Sequence, residues 1–60
     1  SIHPIVAKET MPLKTLTQDE AVIKMEIGGE SFLIFRGEED QKLKVIYRRP
    51  DENYGIVQIQ

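Results

Sequence analysis

Drawn as a strand, the stretch Phe32-Leu33-Ile34-Phe35 has no polar side. Successive strand residues point to opposite faces, so Phe32 and Ile34 share one face while Leu33 and Phe35 share the other. The pattern repeats downstream, where Leu43, Val45 and Tyr47 oppose Ile46, and Val57 and Ile59 oppose Ile56. A sheet made of such strands has to be covered on both sides. The punctuation between the runs predicts three strands over residues 31–36, 43–49 and 55–60. They are separated by the loop Gly37-Glu38-Glu39-Asp40-Gln41-Lys42 and the tight turn Pro50-Asp51-Glu52-Asn53, which makes a three-stranded antiparallel meander.

One element is available as cover. Thr17 followed three residues later by Glu20 is a capping box, and Asp19 and Glu20 suit the positive end of a helix dipole, so a helix is expected over residues 18–27. Ala21, Val22 and Met25 form its apolar stripe, widened by Ile23 and Ile27, and Gly28-Gly29 supplies the left-handed residue that ends it. Two adjacent glycines after a helix are a cap, whereas a phosphate cradle needs a longer glycine pattern before one. Upstream, Ile5-Val6-Ala7 with Met11 and Leu13 suits an extended segment that Pro12 places at an edge or a bend. The fold expected is α+β: a small antiparallel sheet of three to four strands with one helix, in the order β-α-β-β-β. A helix this short covers one face, and the second face then exposes an apolar patch of the kind that marks an interaction surface.

Length sharpens that demand. A 60-residue chain forms one domain, expected over residues 1–60, and buries only about 60% of the surface its unfolded form exposes. Domains of this size need help from disulfides, a structural metal or another subunit. There is no cysteine and one histidine, His3 near the N-terminus, so neither a disulfide nor a structural zinc site is expected, and no cofactor is implied. Association with a second chain is the remaining helper. Eight Lys/Arg against ten Asp/Glu, interspersed to a net charge of −2, give no basic field for nucleic acid. No apolar run approaches a signal core or a membrane span, so the chain reads as soluble and cytoplasmic. It begins with Ser, as expected of a piece of a longer protein.

The residues that could carry chemistry are weak in that role. Glu38-Glu39-Asp40 and Asp51-Glu52 lie in loops where nothing desolvates them, and a general acid needs its pKa raised by burial. Asp51-Glu52-Asn53 lacks the further oxygen ligands of a calcium loop. Ser31 has no histidine partner or nucleophile turn, and His3 is no base. Arg48 and Arg49 point to opposite sides of their strand, either as a solvent-facing edge pair or with one of them meeting an acid across an interface. Tyr47 and Tyr54 bracket the last turn and suit cross-strand packing or stacking on a ligand. Met11 and Met25 suit gap filling. An enzyme is not expected.

With the segments placed, the chain resembles the C-terminal domain of the long-form bacterial ribosome hibernation-promoting factors, the ribosome-associated factor Y family, nearly end to end. The resemblance rests on Ile5-Val6 with Lys8, Met11-Pro12-Leu13-Lys14 and Leu16. It continues in Asp19-Glu20-Ala21-Val22-Ile23-Lys24-Met25, in Phe32-Leu33-Ile34-Phe35-Arg36, and in Val45-Ile46-Tyr47-Arg48-Arg49 with Asp51 and Asn53-Tyr54-Gly55-Ile56-Val57. It implies an α+β domain that forms a homodimer and is linked to an N-terminal ribosome-binding domain not present here. The dimer would join two ribosomes into a translationally silent pair under starvation or in stationary phase. Where the family often has Asp-Gly in the last turn this chain has Asp51-Glu52, so Asn53 is expected at positive φ. A proline common before the helix is Thr15.

Resemblance and residue pattern meet in one expectation, an isologous dimer whose interface and core are drawn from Phe32, Ile34, Val45, Tyr47, Val57 and Ile59. Residues 5–13 would add as a strand to the partner's sheet, and no direct nucleic-acid or membrane contact is expected. The alternative is a protein- or peptide-binding module that uses the second sheet face for another partner and folds as a monomer. A more remote alternative is a small enzyme or RNA binder using the loop acids or Arg48, Arg49 and Tyr54.

Overall fold

The computed structural model describes residues 2–60. Its elements run β1 (Thr15–Leu16), α1 (Gln18–Gly28), β2 (Phe32–Gly37), β3 (Leu43–Arg48) and β4 (Tyr54–Gln58). They form one four-stranded sheet in the order β1-β2-β3-β4. β2, β3 and β4 make the antiparallel meander, with Phe32 opposite Tyr47 and Val45 opposite Val57. β1 joins at the other edge and runs parallel to β2, pairing Thr15 with Arg36 and Leu16 with Gly37, so the sheet is mixed.

The capping box holds α1 at its start: the Thr17 hydroxyl accepts from the Glu20 amide at 3.1 Å, and the Glu20 carboxylate accepts from the Thr17 amide at 2.8 Å. Two of the four orphan donors of the first turn are thereby satisfied. Gly29 ends the helix at φ 66°, donating its N–H to the Met25 carbonyl. The helix lies over β1 and β2. Ala21 and Met25, one turn apart, face Leu16, Phe35 and Ile46, and these five are the buried core, with Val22, Leu33 and Tyr54 packed around it.

Several sequence expectations change here. Thr15 and Leu16, just ahead of the helix cap and in no expected strand, form the first strand, because Arg36 donates its amide to Lys14 O and Glu38 donates to Leu16 O. Residues 2–14 form neither strand nor helix. Pro12 can donate nothing to a ladder, and the pairing stops short of it. Ile23 and Ile27 do not widen the buried stripe but stand on the solvent side, 55% and 82% exposed. At 100° per residue they fall well round the helix from Ala21 and Met25. Met25 fills the core as expected, whereas Met11 is exposed.

The last turn also differs. Glu52, not Asn53, has the positive φ, 70°. The Glu52 amide donates to Arg49 O and the Arg49 amide donates to Asn53 O. Pro50 and Asp51 therefore take the central places of a four-residue turn, and Glu52 occupies the left-handed position that returns the chain to β4. Gln41 does the same in the β2–β3 loop at φ 60°.

Arg48 and Arg49 part company. The Arg48 guanidinium reaches over the helix side of the sheet and donates to Glu30 O, Met25 O and the Tyr54 hydroxyl. The Tyr54 hydroxyl in turn donates to Glu26 at 2.7 Å. A cation thus sits on the carbonyls at the end of α1, where the helix dipole favours it, and ties that end to the hairpin. Arg49 pairs with Asp51 inside the turn. Neither arginine reaches toward the opposite face of the sheet.

The radius of gyration is 12.9 Å, against about 10 Å for a compact chain of this length. The excess comes from residues 2–14, with Ile5 and Val6 about nine-tenths exposed.

Candidate self-association surface

The helix covers one side of the sheet, carrying Leu33, Phe35, Ile46 and Ile56. Register places the remaining side chains on the other side in three cross-strand rows. Phe32, Tyr47 and Gly55 form the first; Ile34, Val45 and Val57 the second; Arg36 and Leu43 lie in the third. Ile59 extends that third row, its amide donating to Leu43 O at 2.8 Å. All six residues singled out from the sequence therefore fall on one surface, the outer face, and none of them belongs to the buried core. Phe32, Val57 and Ile59 are each a little under half exposed. Leu43 completes the patch. Its place was legible in the strand alternation, which sets it with Val45 and Tyr47.

Two details shape this face. The Tyr47 ring lies over Gly55, where an added Cβ would overlap the ring, so any side chain at that position must swing the ring aside. A bare glycine covered by a cross-strand aromatic is a recognised way of filling a sheet surface. Arg36 is the one charge in the rows, and its guanidinium is turned to the rim, donating to Gln41 O at 2.8 Å.

Both sheet edges are open as well. β1 pairs only with the last two residues of β2, so the outward amides and carbonyls of Phe32 and Ile34 have no strand beside them. Next to that edge lies an open groove of about 490 Å³, whose apolar wall includes Met11, Pro12, Met25, Ile27 and Leu33. On the far side β4 has no neighbour among the described residues.

The remaining polar groups are arranged for structure. Asp40 accepts from the Lys42 amide at 3.0 Å and pairs with Lys44 at 3.2 Å. The amide first, and the ammonium with it, hold its carboxyl below the ordinary value. The Glu26 carboxylate that accepts from Tyr54 pushes that phenol up. Asp51 accepts from the Asn53 amide and from Arg49. Among the described residues no group of three His, Asp or Glu side chains converges to hold a metal. No helix among them is long and apolar enough to cross a membrane. The arrangement offers an apolar outer face and two open strand edges.

Comparison with known proteins bears on what that surface meets. The sequence model of a family described as "Sigma 54 modulation/S30EA ribosomal protein C terminus" matches residues 2–56. A protein of Staphylococcus aureus (strain COL) named "Ribosome hibernation promotion factor" is 33% identical over 54 residues, which is 90% of this chain. The chain spans 28% of that relative's length.

Proposed function

Because the chain belongs to the Sigma 54 modulation/S30EA ribosomal protein C-terminal family, we propose that it is a homodimerisation module which pairs two bacterial ribosomes into an inactive, hibernating dimer and so inhibits translation under stress or in stationary phase. The observation that carries this reading is the uncovered outer face, where Phe32, Ile34, Val45, Tyr47, Val57 and Ile59 lie together on a chain whose buried core numbers five side chains. Burying such a face against a second copy stabilises a domain that is marginal by itself. In the longer protein a separate N-terminal domain grips the ribosome, and the 60 residues form the link between two such grips in the cytoplasm. The role is bridging and requires no catalysis.

Residues 5–13 fit the same role as an exchanged strand. Laid along the β2 edge that β1 leaves open, such a strand from the partner would run past Phe32 and Ile34. The two outward-facing amides of β2 at those positions would then gain partners from a neighbouring chain. Only Pro12 could not donate in such a ladder.

Sedimentation equilibrium from low micromolar to millimolar concentration, with circular dichroism at each point, tests the reading. A dimer that loses structure as it dissociates is the expected result. A folded monomer throughout would refute self-association and assign the outer face to a different protein or a peptide.

A further inference from the structure

The pairing of β1 with β2 stops early. Lys14 O accepts from the Arg36 amide and Leu16 O from the Glu38 amide, so the backbone groups of residues 14 and 16 face β2 while those of Thr15 face away. The next step of the same ladder takes the Lys14 amide to Ile34 O and the Ile34 amide to Pro12 O. Neither bond is made among the described residues. Residues 11–14 stand off from β2 instead, and the gap between them, the last turn of α1 and β2 is the open groove of about 490 Å³.

The segment that borders this gap is shaped to fill it. Pro12 has its own φ fixed and holds Met11 extended, so both residues have little freedom left to lose on joining a strand. Counting back from Thr15 opposite Arg36, Leu13 falls opposite Ile34 and Pro12 opposite Leu33. Leu13 is 46% exposed and gains Ile34 as a cross-strand neighbour, while Pro12 moves in against Leu33 on the wall of the groove. Tethering favours this occupant over any other. Lys14 is already bonded to β2, and a segment this close to a fixed point has an effective concentration on the order of millimolar or more. The ladder also has a stop: the Phe32 carbonyl, next in line, needs the amide that Pro12 lacks.

We infer that residues 12–14 are a strap that closes in cis onto β2, lengthening β1 back to Leu13 and shutting the groove. Closed, the strap takes the Ile34 edge that an exchanged strand would use. Closure and exchange therefore exclude one another, and the strap gates that edge. Closure takes place within one copy, so it stands or falls separately from self-association.

Isotope-filtered NMR on a mixture of labelled and unlabelled chain tests the strap on the unmodified sequence. Contacts between Leu13 and Ile34 should arise within one chain, and the Ile34 amide should exchange at least tenfold more slowly than an unprotected amide. The chain has no cysteine, so the double variant Leu13→Cys, Ile34→Cys gives a second readout: paired strands bring the two Cα atoms within the span of a disulfide. With an added oxidant, the bridge should form inside one chain and leave the mass of a monomer on a non-reducing gel. Contacts found only between chains would show exchange and overturn closure. An Ile34 amide exchanging at its free rate would overturn it too. A chain monomeric at every concentration that still shows the internal contact would refute self-association and leave the strap in place. The NMR readout needs no substitution, so it decides the matter even where the double variant fails to fold.

Discussion

Replacing Val57 by Asp puts a charge at the end of the middle row of the outer face, beside Val45. Val57 is 47% exposed, so a single copy loses little by the change: on a half-solvated edge strand the penalty is bounded by the β-propensity scale, about 1 kcal/mol. In a two-fold dimer the substitution occurs twice. With about half of Val57 left to cover, each copy forfeits about 0.7 kcal/mol of valine burial, or roughly 1.5 kcal/mol together. Each carboxylate then adds a desolvation cost of up to several kcal/mol. Burial alone predicts a dimer weakened about tenfold, since each factor of ten corresponds to about 1.4 kcal/mol. Sedimentation equilibrium gives the association constant, and circular dichroism at matched concentrations separates dissociation from misfolding. Val57→Thr keeps the branched shape without the charge and should fall between wild type and Val57→Asp. Ile23→Lys, on the solvent side of α1, should leave the association constant within about threefold. A Val57→Asp protein that dimerises as tightly as wild type with a native spectrum would refute the assignment of the outer face to self-association.

Other perturbations probe the fold beneath the outer face. Phe35→Ala removes the largest fully buried side chain and should cost about 3–5 kcal/mol, enough to leave the chain largely unfolded by circular dichroism at micromolar concentration. Glu52→Gly relieves a non-glycine residue at φ 70° and should raise stability in urea by about 0.5–1 kcal/mol, the left-handed penalty less the added flexibility of the unfolded chain. The Asp40 carboxyl, held below its ordinary value by the Lys42 amide and then by Lys44, contributes stability that is present above the unfolded carboxylate pKa and lost as pH falls through the lower folded value. Asp40→Asn should therefore flatten the fall in urea midpoint between pH 5 and pH 2, and an unchanged fall would show that other carboxylates carry it.

The elements whose cause is local could be read directly from residue order. Thr17 with Glu20 makes a capping box wherever a helix follows, and Gly29 stops that helix because a left-handed residue costs glycine nothing. Strand alternation in Phe32-Leu33-Ile34-Phe35 and in Leu43 to Tyr47 sorts side chains into two faces without knowledge of the register, because a strand has a period of two. Which face of one strand continues which face of the next is set only by the register, Ile34 with Val45 and Val45 with Val57. What failed was non-local or depended on one backbone angle. Thr15 and Leu16 became a strand only because β2 offered an edge beside them. Glu52 took the positive φ meant for Asn53 because the hydrogen bonds of Arg49 closed the turn one residue earlier. Arg48 was drawn to the Met25 carbonyl in the last turn of α1, 23 residues before it in the chain, and to the Tyr54 hydroxyl.

Residue order by itself thus determined that the chain has one helix, three two-faced strands and more apolar surface than it can bury alone. Only the tertiary structure decided which face the helix takes. Alternation defines two faces but carries no information about which one receives cover. That choice follows from the short connection after Leu16, which lays Ala21 and Met25 against Phe35 and Ile46 and leaves Val45, Tyr47 and Val57 on the side open to a partner.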